Sequence, residues 1–266
     1  MGGALIKGML ASGITEADQI TLSASTPESA ERSASTLGVV AAGSNDDALK
    51  DADVVFLCVK PAKVLDVVAS VTTELAGKLV ISIVAGIHSS DILQATGGKI
   101  RLIRSMPNTA VRLRKGVTAI APDATSTPAD LETASRIFAS VGSVVEVKES
   151  DLDTVTAVSG SGPAFALLML EALAQGGVEG GLDPELSKTL ATGALASAAA
   201  LVAETGETPL ALRSEITSPG GTTAAGLGVL DESNFPRIVR GAIRAARNRS
   251  AELSARPGSC GTNAGA

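Results

Sequence analysis

Aromatic residues are scarce in this chain of 266 residues, which has four Phe and neither Trp nor Tyr. Proteins that bind single-stranded nucleic acid stack the bases on aromatic side chains, so this composition argues against that function. The net charge of −6 also opposes binding to a polyanion, because contacts with phosphates supply most of the affinity for nucleic acids. We therefore expect no nucleic-acid partner, and a core built from Ala, Val, Leu and Ile.

Residues that commonly carry enzyme chemistry are also rare. His88 is the only histidine, and the two cysteines, Cys58 and Cys260, are far apart in the sequence. Neither a disulfide framework nor a metal site has this spacing, and a Ser-His-Asp arrangement would have to be built on His88 alone. Its neighbours Ser89 and Ser90 favour a helix start instead. We expect no bound metal and, if the chain is an enzyme, an organic cofactor that carries the reactive chemistry.

Long apolar runs are missing as well. No uninterrupted apolar stretch approaches the ~20 residues of a membrane span, and no signal peptide is visible. The hydrophobic content of 45% is that of a globular protein. The composition therefore predicts a soluble cytoplasmic protein that does not contact a membrane.

Short apolar runs alternate with helix-like segments between residues 20 and 147. The runs resemble strands buried on both faces, and they are "ITLSA" (20–24), "VVFLCV" (54–59), "LVISIVA" (79–85), "IRLIRSM" (100–106), "VTAIAP" (117–122) and "VVEV" (144–147). The helix-like segments, "PESAERSASTLG", "PAKVLDVVASVTTELAG" and "PADLETASRIFASVG", open with Pro and close at or before Gly. The alternation predicts an α/β fold with a doubly wound, Rossmann-like parallel sheet.

Strand-like runs stop near residue 150, and successive helical segments separated by Gly and Pro follow. One of them, "GALASAAALVA" (193–203), is small and apolar nearly all round. The helical region is too small to bury such a helix alone, so we expect it to contact the same helix of a second copy. The last residues, "RPGSCGTNAGA", have the composition of a disordered end.

The first residues, "MGGALIKGML", predict a helix with no strand before it. In a doubly wound fold the first strand is central, and the turn after it carries the glycines that approach the pyrophosphate of a dinucleotide. Gly2 and Gly3 would then be the end of such a turn. A free N-terminal helix with two flexible glycines is the alternative.

Five motifs relate the chain to a known family: "FLCVKPAKV" (56–64), "SIVAGI" (82–87), "RSMPNTAV" (104–111), "SGSGPAF" (159–165) and "SPGGTTAAGLGVLDE" (218–232). Together they resemble the Δ1-pyrroline-5-carboxylate reductases, which catalyse the last step of proline biosynthesis. The resemblance implies that NAD(P)H reduces the C=N bond of Δ1-pyrroline-5-carboxylate to give L-proline. It also implies a dinucleotide-binding domain over 1–150, an all-helical dimerisation and substrate domain over 151–254, a disordered tail over 255–266, and a homodimer that is often assembled into larger rings.

Members of that family usually begin with a strand and a G-x-G-N-M turn, and Met1 aligns with the Met of the turn. We therefore expect the native chain to be about ten residues longer than this sequence, because removal of a central strand would expose the edges of both its neighbours. A damaged copy of the enzyme is the alternative.

The loop before residue 222 is the predicted substrate site. Gly220 and Gly221 precede two threonines that open a helix, and backbone N–H groups at such a start favour an anion such as a carboxylate. A plain turn with a threonine N-cap is the alternative. The resemblance implies that the substrate contacts Ser218, Gly221, Thr222 and Thr223, and that the Thr223 hydroxyl, the catalytic candidate, reaches the ring nitrogen. "SGSGP" (159–163) is predicted to be a tight turn with Pro163 at a helix start.

The cofactor candidates lie where predicted strands end, which is where open α/β sheets bind ligands. The resemblance and this placement give Met1, Gly2, Thr26, Asn45, Val59, Lys60, Pro61, Ala85, Met106, Pro107 and Asn108. No Asp or Glu stands at residues 25–27 to hold a ribose 2′-hydroxyl, which favours NADPH. No Arg stands there either, so NADH use stays open.

Six basic residues and no acidic ones lie between Lys99 and Lys115. They form either a solvated basic face or a region that concentrates an anionic substrate and cofactor.

Two other functions for the chain remain open. One is a different NADP-dependent reductase of the hydroxyacid-dehydrogenase type, although the surroundings of Lys188 do not resemble the lysine site of those enzymes. The other is a helical dimer without catalytic activity that has lost its cofactor site.

Overall fold

The computed structural model describes residues 1–254, which form two compact units. The first unit comprises Met1–Gly160 together with the residues from Ala246 onward, and the second comprises Ser161–Ala245. The family resemblance placed the boundary at residue 150, and that domain boundary stays a prediction. Cys260 and the tail predicted over 255–266 lie outside the described residues.

The first unit alternates strands and helices as predicted. Its strands are β1 Thr21–Leu22, β2 Val40–Ala41, β3 Val54–Leu57, β4 Leu79–Ser82, β5 Arg101–Pro107, β6 Gly116–Pro122 and β7 Gly142–Glu146. Its helices are α1 Gly2–Ser12, α2 Pro27–Leu37, α3 Asn45–Leu49, α4 Pro61–Ser70, α5 Thr72–Leu75, α6 Ser89–Ala95, α7 Pro128–Ala139 and α8 Leu152–Val155. The six predicted strands are all present, whereas β2 and α3 were not predicted, and of α6 only the start was.

The strands form two sheets, one of β1 and β2 and one in the order β3-β4-β5-β6-β7. Every neighbouring pair is parallel except β5 and β6, which are antiparallel, with Ser105 opposite Ile120. The sheet is parallel as predicted, except at this pair. A parallel return needs a crossover of a dozen residues or more, and only residues 108–115 connect β5 to β6, so the chain returns antiparallel.

The five-stranded sheet is covered on both faces at β4, and the alternation of side chains along this strand shows it directly. Leu79 and Ile81 pack with residues of α1 and α7, while Val80 packs with α4 and α6. All three are at most 2% exposed. A strand covered on both faces needs apolar side chains at every position, which explains its continuous apolar run.

The predicted prolines and glycines mark the helix ends. Pro27, Pro61 and Pro128 occupy the first turn of α2, α4 and α7, and the left-handed Gly38 (φ 72°) ends α2. Two expectations need correction. The segment predicted as one helix from Pro61 to Gly77 breaks at Val71 into α4 and α5. The predicted tight turn at 159–163 is instead mostly helical, with a π-helical turn over Thr156–Gly160 followed by a helix that begins at Gly162.

The second unit is helical, as predicted. Its helices are α9 Gly162–Glu179, α10 Pro184–Thr205, α11 Pro209–Glu215, α12 Thr222–Glu232 and the first part of α13 Phe235–Ser254. Pro163 lies in the first turn of α9, which confirms the helix start predicted there. The Ser187 hydroxyl of α10 donates a 2.6 Å hydrogen bond to the carbonyl of Ala174 in α9, and the two helices pack together.

Apolar side chains on α9 and α10 are unusually exposed. Leu168 and Leu190 are 66% and 53% accessible, and the buried residues of α10 are Ser187 and Ala191. Two helical stretches, Glu149–Glu179 and Pro184–Thr205, are long and apolar enough to cross a membrane by length and composition alone. A helix that packs against another protein chain can have the same length and composition.

Candidate functional site

The start of α1 lies beside the end of β3. A Cβ atom added at Gly2 would stand 3.1 Å from the Sγ atom of Cys58, so only glycine fits this approach without displacing the cysteine. Cys58 is exposed as a residue, but desolvation of its sulfur raises the pKa of the thiol to about 11. The thiol is therefore protonated at neutral pH and is not a nucleophile.

The first turn of α1 has backbone donors available for an anion. Met1 is the N-cap residue and provides no side-chain hydrogen bond. Within residues 1–254, the N–H groups of Gly2 and Gly3 have no hydrogen-bond acceptor, whereas those of Ala4 and Leu5 donate to the Met1 carbonyl. Free N–H groups and two small residues at a helix start suit a phosphate, as the predicted role of Met1 and Gly2 requires.

Three candidate segments meet at one edge of the five-stranded sheet. Val59–Pro61 follows β3, Ala85 follows β4, and Met106–Pro107 ends β5. Because β3, β4 and β5 are parallel and hydrogen-bonded neighbours, their carboxyl ends are adjacent. Lys60 is the N-cap of α4 and is exposed, so its ammonium group is available to a ligand.

Asn108 has a structural function beside its predicted one. Its Oδ1 atom accepts hydrogen bonds from the backbone N–H groups of Ala110 (3.1 Å) and Val117 (3.3 Å). This side chain therefore holds the connection between β5 and β6 in place. Among residues 1–254 its Nδ2 group has no hydrogen-bond partner, so this group can contact a ligand.

Thr26 and Asn45 lie at the end of the two-stranded sheet. The Thr26 hydroxyl caps α2 by accepting from the Ser29 N–H at 3.2 Å, and Asn45 Oδ1 accepts from the Ser23 hydroxyl at 2.9 Å. Glu28, which sequence reasoning missed, stands in the first turn of α2. Hydrogen bonds from its own backbone N–H and from the Thr26 hydroxyl hold the pKa of Glu28 below its ordinary value. The sequence analysis found no acidic residue at 25–27, but the carboxylate of Glu28 lies directly after this segment.

A cavity of about 560 Å³ lies between α1 and α2. Three cationic side chains, those of Lys7, Arg32 and Arg112, line it together with Gly3 and Leu37. Its basic character contrasts with the acidic net charge of the chain.

The basic stretch between Lys99 and Lys115 is not uniformly a solvated face. Arg101 pairs with Asp130 at 2.6 Å and Arg104 with Glu149 at 2.8 Å. Arg114 donates to the backbone carbonyl of Ser140 at 3.3 Å. At least these three cations therefore stabilise the first unit.

His88 precedes α6 as its N-cap residue, which confirms the predicted helix start. The carboxylate of Glu149 lies 3.9 Å from His88 Nδ1 and also accepts from the Ser89 N–H and from Arg104. Partial burial would raise the pKa of Glu149, but the Ser89 N–H and the Arg104 guanidinium outweigh it and lower that pKa. Glu149 was not predicted as a site residue.

The loop before α12 belongs to the second unit and leads into a helix at Thr222, where the sequence predicted one. Gly221 N–H donates to the Ser218 carbonyl at 3.0 Å, and Gly220 has φ 69°, so residues 218–221 match a type II turn with Pro219 at its second position. A Cβ atom at Gly221 would overlap the Ser218 hydroxyl.

The N-cap of α12 is Gly221, and it has no side-chain hydrogen bond. The alternative in which a threonine caps this helix is therefore wrong, because Thr222 and Thr223 are the first two helical residues. Within the described chain, the hydroxyls of Ser218, Thr222 and Thr223 donate no hydrogen bond. Open N–H groups and three hydroxyls around one turn fit a small carboxylate ligand.

Comparison with known proteins covers both units. Residues 149–253 match the family model described as pyrroline-5-carboxylate reductase dimerisation, and residues 1–86 match the model described as NADP oxidoreductase, coenzyme F420-dependent. The chain is 36% identical to a pyrroline-5-carboxylate reductase of Glycine max, over 96% of this chain and 93% of that protein. The chain belongs to the pyrroline-5-carboxylate reductase family.

Solved structures of this family have the same fold. The structure of the reductase from Coxiella burnetii is 31% identical, with a TM-score of 0.88 over 94% of each chain. The Plasmodium falciparum pyrroline carboxylate reductase, with NADP bound, is 29% identical, with a TM-score of 0.86 over 96% of this chain and 94% of that chain. The predicted family and fold class are confirmed, while the roles of the individual site residues stay predictions.

Proposed function

We propose that this protein reduces the C=N bond of Δ1-pyrroline-5-carboxylate to give L-proline, with NADPH as the reductant. The observation that carries this function is the 36% identity to a named reductase over 96% of the chain, which includes both units. The alternatives, a reductase of the hydroxyacid-dehydrogenase type and a helical dimer without catalytic activity, are not favoured by these relatives.

The residues of the chain suit a reaction that needs positioning rather than a nucleophile. Bound NADPH would supply the hydride for the imine carbon, and the protonated nitrogen keeps the electron pair of the C=N bond. The Cys58 thiol is protonated and so is not a base, and hydride transfer to an imine that is already protonated needs none. Holding two reactants in the right geometry can account for ~7 kcal/mol or more of the decrease in the barrier.

The turn at residues 218–223 is our proposed substrate site. The open N–H groups of α12 bind the carboxylate of the substrate, aided by the hydroxyls of Ser218 and Thr222. The Thr223 hydroxyl hydrogen-bonds the ring nitrogen during hydride transfer. Gly221 is required because a side chain there would displace the Ser218 hydroxyl.

The proposed dinucleotide site lies in the first unit. The N–H groups of Gly2 and Gly3, with Met1 before them, bind the pyrophosphate, and the adjacent strand ends contribute Val59, Lys60, Pro61, Ala85, Met106, Pro107 and Asn108. Thr26 and Asn45 lie at the end of the two-stranded sheet and contact the adenosine half. NADPH is our proposed cofactor, and NADH stays as the second candidate because of Glu28.

We further propose a homodimer formed through the second unit. Residues 149–253 match a model described as dimerisation, and α9 and α10 expose leucines that water solvates poorly. A second copy of the chain therefore covers these helices, rather than a membrane. Assembly of dimers into larger rings and the cytoplasmic location stay predictions.

Steady-state kinetics with purified protein test the proposed reaction. With Δ1-pyrroline-5-carboxylate present, we expect substrate-dependent loss of NADPH absorbance and formation of an equal amount of proline, measured by chromatography. NADPH binding without turnover of this substrate would indicate a different reductase. Absence of NADPH binding even at millimolar cofactor would support the helical dimer without catalytic activity.

A further inference from the structure

The turn after β4 is buried almost throughout, and Ala85 is one of its two exposed residues. Val84, Gly86, Ile87 and Ser89 are buried, while Ala85 and His88 reach the surface. Ala85 lies at the sheet edge where the proposed dinucleotide site is. Its position therefore depends on how the buried residues on either side of it are held.

One carboxylate oxygen holds the end of this turn. Glu149 Oε1 accepts hydrogen bonds from the Ser89 N–H at 2.7 Å and from Arg104 Nη1 at 2.8 Å. Arg104 is 6% exposed and lies in the middle of β5, so its guanidinium is fixed by the sheet. The oxygen therefore joins the start of α6 to a rigid strand, across sequence separations of 60 and 45 residues.

The other side of the turn is held by backbone packing. Gly86 has φ 75°, and a Cβ atom there would stand 3.4 Å from the backbone carbon of Leu253, near the end of α13. Asp153, four residues after Glu149, accepts a 2.6 Å hydrogen bond from the Ser250 hydroxyl in the same turn of α13. The segment from Glu149 to Asp153 thus contacts both the turn and the helix that packs against it.

We propose that Glu149 is a positioning residue that fixes the turn bearing Ala85 for the bound dinucleotide. This inference rests on the proposed function and on the predicted role of Ala85. Glu149 does not touch the cofactor; it acts through the Ser89 N–H and Arg104. Loss of its carboxylate frees the turn on the side of α6 and leaves the buried Arg104 without its ionic partner, so Ala85 is no longer held in one place.

Three variants test the proposal. Glu149→Ala removes the acceptor and the charge, Glu149→Gln keeps an oxygen for the Ser89 N–H, and Glu146→Ala removes an exposed carboxylate from the same region as the control. At a temperature where all are folded, we expect kcat/KM for NADPH to fall about tenfold or more in Glu149→Ala. We expect Glu149→Gln, which loses the charge but keeps the oxygen, to fall between Glu149→Ala and the parent, and Glu146→Ala to match the parent.

A structural role alone would give a different result. If Glu149 only stabilises the fold, Glu149→Ala will melt at a lower temperature but keep the kcat/KM of the parent below that temperature, and this outcome overturns the proposal. If Glu149→Ala does not fold, Glu149→Gln decides. Amide hydrogen exchange of residues 84–90 must then be faster than in the parent and NADPH binding weaker, and unchanged values of both overturn the proposal.

The proposed function can fail independently. If the parent binds NADPH but does not reduce the substrate, the proposed reaction is wrong, and weaker NADPH binding by Glu149→Ala than by Glu146→Ala still supports the positioning role. If the parent does not bind NADPH, both proposals are wrong.

Discussion

Arg101 and Asp130 form an ion pair of 2.6 Å that joins the first residue of β5 to the first turn of α7. The Asp130 side chain is 5% exposed, and its second oxygen accepts from the N–H and the hydroxyl of Thr127. One carboxylate therefore attaches a helix to the sheet and also caps that helix.

Replacement of Asp130 should destabilise the first unit. Asp130→Ala leaves Arg101 Nη1 and Thr127 without their acceptor, and we expect the free energy of unfolding to fall by about 3 kcal/mol. Asp130→Asn keeps one acceptor for Thr127 and should cost less. Urea denaturation measures both, and Asp66→Ala, an exposed carboxylate on α4, should stay within about 0.5 kcal/mol of the parent. An equally small change in Asp130→Ala would contradict the prediction.

Thr223 should matter for turnover and little for stability. If its hydroxyl holds the charged ring nitrogen, Thr223→Ala loses roughly 1.5 to 3 kcal/mol of transition-state stabilisation, or about 10-fold to 150-fold in rate. The loss should be seen in kcat as well as in kcat/KM. Since Gly221 caps α12, the melting temperature should change little.

Thr223→Ser is the matched control for this experiment, because it keeps the hydroxyl and should keep most of the activity. Parent-like turnover by Thr223→Ala would remove Thr223 from the catalytic residues.

Glu28 should influence the choice between NADPH and NADH. Its carboxylate is ionised at the start of α2, beside the proposed contact Thr26, where it would repel a 2′-phosphate. Glu28→Gln should therefore raise the ratio of kcat/KM for NADPH to that for NADH on the order of threefold at low salt, and less at high salt. Glu31→Gln, on the same helix, is the control. An unchanged ratio would mean that the dinucleotide does not bind near Glu28.

The lowered pKa of Glu149 predicts a loss of stability in acid. The folded state favours the ionised form of this side chain, so Glu149 raises the free energy of unfolding at pH values above its unfolded pKa of about 4.3. That contribution is lost as the pH falls through the lower, folded pKa. The urea midpoint of the parent should therefore decrease below about pH 4.5. In Glu149→Gln the urea midpoint should decrease less over the same pH range. If the midpoints of the parent and the variant fall equally with pH, Glu149 is not the cause of the loss.

Charge placed on α10 should separate the proposed dimer. Leu190 is 53% exposed on this helix, and Leu190→Arg would bury a charge in the interface. Light scattering should show half the mass of the parent at micromolar concentration. Leu113→Arg is the control, because Leu113 is 66% exposed but lies in the first unit. Equal masses for the parent and Leu190→Arg would contradict the proposed interface.

The sequence predicts the elements that have a strong local pattern. Strands such as Leu79–Ser82 are continuous apolar runs because both faces are covered, and helices that begin with Pro and end at Gly carry their own boundaries. The strand Val40–Ala41 has two residues, which is too short for any periodicity to be visible. The direction of β6 follows from the short connection before it, which was not used in the prediction.

Glycines and prolines indicated where the candidate site lies, whereas the family resemblance supplied most of its residues and their roles. The turn at Ser218–Gly221 is local, so its form could be predicted from "SPGG". Glu149 was missed because its partners Ser89 and Arg104 are distant in sequence, and only the folded chain brings them together. The roles of Ala85 and Asn45 came from the family resemblance, since an alanine and an amide carry no chemical signal of their own.

The first unit is discontinuous in sequence, and this has a consequence for synthesis of the protein. Ser250 and Leu253 emerge from the ribosome after the whole of the second unit, yet they complete the contacts of Asp153 and Gly86. The nascent first unit can form its sheet early, but the turn that bears Ala85 has no packing partner on the α13 side until the end of α13 has been synthesised. We therefore expect a chain released early, before residue 246, to fold its sheet and to leave that turn exposed to proteases.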